Sequence, residues 1–219
     1  MKISPRFVVL AAFFVTALVV SNIIAVKLVE ISGRIFPAGL VIFPLSYLLG
    51  DVLTEVYGIR AARRVIWLGF ACNLLAIGAI QAAIHLPAAG FWEENEGAYE
   101  QILGTTWRLF LASLTAYVVG ELANAYVLAV MKGATGGRFL WTRTIGSTIV
   151  GEGLDSAIFV TIAFAGTGAA LANPIVTTWL IKVAWESAAT PLTYAVVNYL
   201  KRSERADVYD FGRPAEARA

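Results

Sequence analysis

The sequence predicts an all-α membrane protein of six transmembrane helices. Hydrophobic residues make up 58% and charged residues 15% of the 219-residue chain, and its mean hydropathy is +0.72. A soluble domain of this length could not bury so much apolar surface in one core. Apolar runs long enough to cross a hydrocarbon layer of about 30 Å recur along most of the chain.

Each predicted helix is an apolar run bounded by charged or turn-forming residues. The six helices are expected at about 6–28, 36–57, 65–86, 105–131, 144–166 and 174–200. Lys2 and Arg6 precede the first run, but no convincing small-residue cleavage site follows it, so this helix is interpreted as retained. Residues 1–202 therefore form the predicted membrane domain, and 203–219 form a polar cytoplasmic tail that is partly disordered.

The distribution of charge between the helices predicts their orientation. Basic residues concentrate at the amino terminus and after the second, fourth and sixth helices, which places both termini in the cytoplasm. The opposite side is expected to hold an exposed acidic loop, 87–104, and an uncharged connection, 167–173. Glycine–acid pairs in the second and fifth helices favour two inverted three-helix repeats.

Charge and motif content exclude several functions. The formal net charge of +2 is too small to indicate nucleic-acid binding, and Cys72 stands alone, which leaves neither a disulfide framework nor a cysteine metal site. The sequence contains no phosphate-binding glycine loop, so no ATP hydrolysis is expected within the chain. Neither a cofactor nor a metal is predicted, and the expected partners are a small molecule and the lipid bilayer.

Polar and ionisable residues inside the predicted helices mark a candidate site. Each charge costs about 2.5–3.5 kcal/mol at the bilayer centre if it faces lipid, so these residues are expected to face inwards. Most of them recur three or four positions apart, which puts each pair on one helix face. The candidate substrate-binding residues are Asn22, Lys27, Asp51, Glu55, Glu121, Asn124, Glu152, Asp155, Lys182, Trp185 and Glu186.

Among these residues, the acids outnumber the bases, which are Lys27 and Lys182. The surplus acids must be protonated, hydrated or matched by a ligand, and a polar cavity open to water meets all three conditions. Such a cavity is typical of a transporter. Simple pairing, for example of Lys182 with Glu152 or Asp155, could explain single residues as packing contacts but leaves the surplus unexplained. Pro44 and other helix breakers nearby could expose backbone groups to a ligand.

Several short motifs occur in order on the predicted helices. They are Ser21-Asn22-Ile23-Ile24, Phe43-Pro44-Leu45-Ser46-Tyr47, Thr54-Glu55-Val56-Tyr57-Gly58, Gly120-Glu121, Val150-Gly151-Glu152 and Thr190-Pro191. Together they resemble the queuosine precursor transporter family, also called the vitamin uptake transporters. The resemblance extends to about Leu200, but the acidic stretch 91–104 and the tail after Arg202 match no family motif.

The resemblance implies a multi-pass importer in a bacterial inner membrane, acting as a secondary transporter. Its substrates would be 7-cyano-7-deazaguanine and the aminomethyl relative of this nucleobase, salvaged to make queuosine in transfer RNA. A guanine-like base presents N1–H and an exocyclic amine side by side, and one carboxylate can accept both. The candidate acids for this edge are Glu152 or Asp155, with Asp51 and Glu55 as the rival pair.

The remaining polar residues would complete the site. Asn22 and Asn124 are expected to contact the O6 or N7 side of the base, and Lys182 to keep neighbouring carboxylates ionised. Trp185 could offer a flat surface to a planar ligand. Protonation of a buried carboxylate could couple transport to the proton gradient.

Three other functions are compatible with a small membrane protein. The chain could be the substrate-binding subunit of a vitamin or nucleobase importer that is driven by a separate ATPase. An intramembrane enzyme or a purely structural scaffold has less support, because the sequence has no HExxH, GxSxG or cysteine-rich pattern and buried acids are costly. No enzymatic activity is therefore expected. A homodimer is possible but cannot be read from the sequence, although small residues such as Gly69 and Ala76 could line helix contacts.

Overall fold

The computed structural model describes residues 4–31, 34–104, 107–166 and 171–211. Most of these residues are helical, and a β-hairpin follows the first helix. The elements are α1 (Pro5–Ile24), β1 (Leu28–Ile31), β2 (Arg34–Pro37), α2 (Phe43–Tyr57), α3 (Ile59–Ile84), α4 (Glu93–Leu103), α5 (Trp107–Ala134), α6 (Leu140–Phe164) and α7 (Ala172–Glu204). A short 3-10 helix, Ala38–Val41, connects the antiparallel hairpin to α2.

The architecture agrees with the predicted class of all-α membrane protein, apart from the two-stranded hairpin. Four described helices, α1, α3, α5 and α6, are long and apolar enough to cross a membrane. The 15 residues of α2 span only about 22 Å at 1.5 Å per residue, which is less than a hydrocarbon layer of about 30 Å. Because α7 carries buried Lys182 and Glu186 near its middle, it is less apolar than the other long helices. Six crossings and an inverted repeat therefore stay predictions.

The second helix begins seven residues later than expected. The sequence indicated a helix over 36–57, but Arg34–Pro37 pairs as a strand and the helix begins at Phe43. Pro44 lies in the first turn of α2, where its missing N–H leaves no broken hydrogen bond. The expectation that Pro44 interrupts a helix was therefore wrong, because this proline starts one.

The third helix begins earlier than expected and meets α2 almost directly. Gly58 alone separates the two helices, and its φ of +84° favours a residue without a side chain. The basic residues Arg60, Arg63 and Arg64 consequently lie in the first turns of α3 and not in a loop. At the other end of α3, the acidic stretch 87–104 contains an exposed helix, α4, whose acidic first turn suits the positive end of the helix dipole.

Helices α5 and α6 pack against each other through two glycines. A Cβ atom on Gly120 would lie 2.9 Å from the carbonyl oxygen of Gly151, and one on Gly151 would lie 2.6 Å from Cβ of Asn124. Any larger residue would therefore push the backbones apart. This close approach brings the polar faces of α5 and α6 together in the interior.

An apolar cluster fills the space between α1, α2 and α3. Its best-shielded members are Phe14, Leu18, Val52, Leu53, Val56 and Ile66. Gly69 faces this cluster, and a Cβ atom there would lie 2.8 Å from the hydroxyl of Tyr117 and 2.9 Å from Leu18. Gly69 therefore lines helix contacts within one chain, and a homodimer stays a prediction.

The chain after α7 turns back onto the ends of α2, α3 and α5. The backbone N–H of Val208 donates to the carbonyl of Val56, and the carboxylate of Asp210 accepts a hydrogen bond from the first N–H of α3, on Ile59. Phe211 packs edge-on against Tyr126. The described part of the predicted tail is thus an ordered strap over the helix ends, and 212–219 lie outside the described residues.

Candidate functional site

Helices α2, α5, α6 and α7 bring a group of polar side chains together in the interior. We call this group the acid cluster; it consists of Asp51, Glu121, Asn124, Glu152, Asp155, Lys182 and Glu186. Every member is less than a tenth exposed. Helices α5, α6 and α7 each contribute a pair of residues spaced by three or four positions. Helix α2 contributes Asp51 alone, because Glu55 belongs to a different set of contacts. The structure therefore brings together seven of the residues predicted from the sequence.

Lys182 forms ion pairs with both acids of α6. Its ammonium nitrogen lies 2.6 Å from a carboxylate oxygen of Glu152 and forms a second, shorter ion pair with Asp155. The same nitrogen lies 4.6 Å from the centre of the Phe43 ring, a cation–π contact. The pairing considered from the sequence as a packing contact is therefore present, and it joins α7 to α6.

Asp51 and Asn124 form the second contact of the acid cluster. The amide nitrogen of Asn124 donates to one carboxylate oxygen of Asp51 over 2.7 Å. The second oxygen of Asp51 and the amide oxygen of Asn124 have no hydrogen-bond partner among the described residues. Since buried polar atoms are normally paired, these two atoms are free to bind a ligand.

Glu121 and Glu186 also carry buried oxygens without partners. Both carboxylate oxygens of Glu121, and Oε1 of Glu186, have no hydrogen-bond partner within the described part of the chain. The hydroxyl of Tyr47 is unpaired in the same way, and it lies 3.2 Å from the Cβ position of Gly120. The acid cluster thus holds five acids and a single base, Lys182, so the predicted surplus of acids is present.

Glu55 does not belong to this surplus. Its carboxylate accepts hydrogen bonds from Nε and Nη2 of Arg143 over 2.8 and 2.7 Å, and from the ammonium of Lys201 over 2.5 Å. Lys132 lies 3.7 Å away and donates to the backbone carbonyl of Glu55. We call these four residues the Glu55 network. The helical spacing predicted that Glu55 and Asp51 form a pair for substrate, but the three cations around Glu55 hold it in this network instead.

The cations of the Glu55 network were missed because the helix ends were placed wrongly. Arg143 was assigned to a connection, but α6 begins at Leu140 and Arg143 is 1% exposed. It precedes the buried Ser147 at an interval of four, so it lies on the buried side of the first turns of α6. A predicted helix that began at Leu140 would have included Arg143.

Three predicted site residues lie elsewhere. Asn22 donates to the side chain of Asn73 over 3.0 Å and accepts from Ser113 over 3.2 Å, so it connects α1 to α3 and α5. Lys27 is exposed just after α1. Trp185 is 44% exposed on α7 and faces away from the buried side that carries Lys182 and Glu186. The period of the helix separates Trp185 from its neighbour Glu186, because adjacent residues point about 100° apart.

The acid cluster is shielded from solvent in this conformation. The sequence predicted a polar cavity open to water, whereas the exposure of its members ranges from 1% for Asp51 to 8% for Lys182. Surface hollows occur along α3, one beside Gln81 and His85 and another beside Arg60 and Arg64. The predicted open cavity is therefore replaced by a closed polar interior.

Comparisons with known proteins identify the family of this chain. A family model described as "Putative vitamin uptake transporter" matches residues 37–196. The chain is 32% identical over 192 residues to a protein of Bacillus subtilis (strain 168) named "Probable queuosine precursor transporter", covering 86% of this chain and 83% of the relative. It is 26% identical over 155 residues to the "Queuosine precursor transporter" of Escherichia coli (strain K12), covering 71% and 67%. No solved structure matches the chain significantly.

The matched residues include all of α2, α3, α5 and α6 and the part of α7 that carries Lys182 and Glu186. The whole acid cluster therefore lies within the region that the family model covers. The family match and the apolar helices together identify a multi-pass membrane protein. The chain belongs to the vitamin uptake transporter family, which confirms the resemblance found in its sequence motifs.

Proposed function

We propose that this protein imports 7-deazaguanine precursors of queuosine across a bacterial inner membrane as a secondary transporter. The names of the two curated relatives support this class of substrate. In this proposal α1, α2, α3, α5, α6 and α7 form six crossings, both termini are cytoplasmic, and the closed acid cluster is the substrate site between two open states. The Glu55 network then lies at the cytoplasmic end of the site.

The observation that carries the proposal is the unused hydrogen-bonding capacity of Asp51 and Asn124. One oxygen of each side chain is buried and unpaired, although α2 and α5 are already joined by their mutual hydrogen bond. A carboxylate at this point can accept from the N1–H and exocyclic amine of a guanine-like base. Asp51 therefore replaces Glu152 and Asp155 as the first candidate for this edge, because Lys182 already occupies those two acids.

Lys182 gives the site a donor as well as acceptors. Its ammonium can turn from Asp155 towards the carbonyl oxygen of the base, while Glu152 stays paired with it. Lys182 would then face the O6 acceptor, and the carboxylate of Asp51 would face the two adjacent donors, N1–H and the exocyclic amine. Adenine presents the opposite order at this edge, so it should compete poorly.

The test is uptake of labelled 7-cyano-7-deazaguanine by vesicles that contain only this purified protein. Asp51→Asn keeps the shape of the side chain but exchanges an acceptor for a donor. The affinity for substrate should therefore fall by about 10- to 100-fold. This is the loss expected for one charge-assisted hydrogen bond of about 1.5–3 kcal/mol. Glu96→Gln, on the exposed helix α4, is the matched control and should transport normally.

Three results would contradict the proposal. Full uptake by Asp51→Asn, Glu152→Gln and Asp155→Asn alike would remove the acid cluster as the substrate site. Competition by adenine equal to that by guanine would remove the proposed recognition of the edge. Binding without uptake, restored by a partner ATPase, would instead identify a substrate-binding subunit of an ATPase-driven importer.

A further inference from the structure

Among the described residues, Glu121 is a buried acid whose carboxylate has neither a counter-ion nor a hydrogen-bond donor. It is 1% exposed in the middle of α5, and neither of its carboxylate oxygens has a hydrogen-bond partner among the described residues. Glu186 has one buried unpaired oxygen, Oε1, and the other three acids of the cluster have partners. Asp51 is held by Asn124, and Glu152 and Asp155 are held by Lys182.

Other acids face Glu121, and their negative charges disfavour its ionised form. Its electrostatic neighbours are Asp51 on α2, Glu152 and Asp155 on α6, and Glu186 on α7. Tyr47 on α2 and Tyr117 on α5 are the nearby hydroxyls, but that of Tyr117 already donates to the carbonyl of Ile66 on α3. From α1, the apolar ring of Phe14 reaches the same region beside Gly50.

An ionised carboxylate in this environment would be strongly destabilised. Removing a charge from water without a hydrogen bond or a counter-ion costs several kcal/mol, and four neighbouring acids add repulsion. The neutral acid avoids both costs. The closed conformation is therefore compatible with Glu121 only when a proton or another cation neutralises it.

The packing around Glu121 favours a proton over a metal ion. A Cβ atom on Gly50 would lie 2.0 Å from Oε1 of Glu121, so the carboxyl group lies against the backbone of α2 and leaves little space for a larger cation. Among the described residues, no three acidic, histidine or cysteine side chains converge in a way that could hold a metal ion. Sodium prefers several oxygen ligands at once, and the described carboxylates do not converge to supply them.

We propose that Glu121 is the proton-binding residue of the transporter and that the helices close over the acid cluster only when it is protonated. The proposal rests on the proposed function, since it assigns closure to the transport cycle. When the site opens, water reaches Glu121 and its carboxylic acid ionises to a carboxylate and a proton, which leaves to the aqueous phase. Before the next closure, one proton from water binds the carboxylate again.

The first experiment measures the proton directly and needs no substrate. The infrared band of protonated carboxyl groups is recorded for the purified protein in lipid nanodiscs at neutral pH. Glu121→Gln should reduce this band by the contribution of one carboxyl group, whereas Glu96→Gln should leave it unchanged. An unchanged band in Glu121→Gln would overturn the proposal, whatever the protein transports.

The second experiment measures the exchange of labelled for unlabelled 7-cyano-7-deazaguanine at equal pH on both sides of the vesicle membrane. Because one proton is needed for closure, the exchange rate should fall with rising pH, with a limiting slope of about tenfold per unit. Glu121→Gln is neutral at every pH and should make the profile flat, with exchange retained at alkaline pH. A wild-type profile retained by Glu121→Gln, or acceleration by sodium at fixed pH, would overturn the proposal.

These experiments separate the proton site from the transport function. Absence of exchange by the wild-type protein, together with loss of the infrared band in Glu121→Gln, would refute the proposed function and support the proton site. If Glu121→Gln does not fold, Glu121→Asp retains a titratable group on a shorter side chain and should shift the frequency of the band. A band at the wild-type frequency in Glu121→Asp would overturn the assignment.

Discussion

At the scale of single residues, burial alone does not decide the role of an acid in this protein. Glu55 and Glu121 are equally shielded from solvent, with exposures of 0% and 1%. Three cations surround Glu55, whereas acids and apolar groups surround Glu121. Glu55 is therefore suited to holding helices together, and Glu121 to binding a proton.

Replacing Glu55 should destabilise the protein strongly, because three cations depend on its carboxylate. Glu55→Gln removes the charge that compensates Arg143, which is buried, and should lower stability by about 3 kcal/mol or more. Thermal unfolding in detergent measures this as a lower Tm. Glu94→Gln is the control, because this acid is exposed on α4 and its replacement should change stability by at most about 0.5 kcal/mol. Equal Tm values for the two variants would contradict the structural role of Glu55.

At the scale of elements, the strap formed by 205–211 depends on charges that α5 and α7 supply. Lys132 and Lys201 contact the carboxylate of Asp207 over 2.5 and 2.9 Å. Partial burial opposes ionisation of Asp207, but the hydrogen bonds and charges of these two lysines prevail and lower its pKa. The strap therefore extends the Glu55 network beyond the helices.

Acidification should release this strap. A carboxyl group whose pKa is lowered in the folded state stabilises the docked strap fully above its ordinary pKa of about 3.9, and this contribution disappears as the pH falls through the lower folded value. Limited proteolysis or hydrogen exchange of the strap as a function of pH measures the effect. Asp207→Asn should expose the strap already at neutral pH. Protection in Asp207→Asn equal to the wild type would show that Asp210 and the apolar contacts are sufficient.

At the scale of the whole molecule, the arrangement of the helices assigns opposite roles to their two ends. The Glu55 network joins α2, α5, α6 and α7 at one end, beside the basic first turns of α3. The acidic helix α4 lies beyond the other end of α3. The positive-inside rule predicts that the first end faces the cytoplasm, and the Glu55 network would then form the barrier on that side.

Cysteine labelling can test this orientation in intact cells. With Cys72 replaced by alanine, Gly97→Cys on α4 should react with a membrane-impermeant maleimide from outside. Arg202→Cys, near the end of α7, should react only after the membrane is permeabilised. Both positions are exposed, so access depends on the side of the membrane and not on burial. Reaction of Arg202→Cys in intact cells, with Gly97→Cys unreactive, would reverse the proposed topology.

Much of this organisation follows from the sequence by itself. Apolar length and composition indicated a helical membrane protein, the order of short motifs indicated its family, and spacings of three or four residues put Glu121 with Asn124 and Glu152 with Asp155 on shared faces. These properties are local, because they depend on the chemistry of neighbouring residues and on the period of one helix.

Only the tertiary structure decided which charges meet. Glu55 and Arg143 lie 88 positions apart in the sequence. Asp207 in the strap is similarly distant from Lys132. The period of a helix does not constrain contacts between such distant segments. The same holds for the separation of Asn22 and Trp185 from the acid cluster, since the direction of a helix face depends on its packing partners. Glu121 has no counter-ion among the residues that the structure describes, and this isolation becomes visible only when the surrounding helices are assembled.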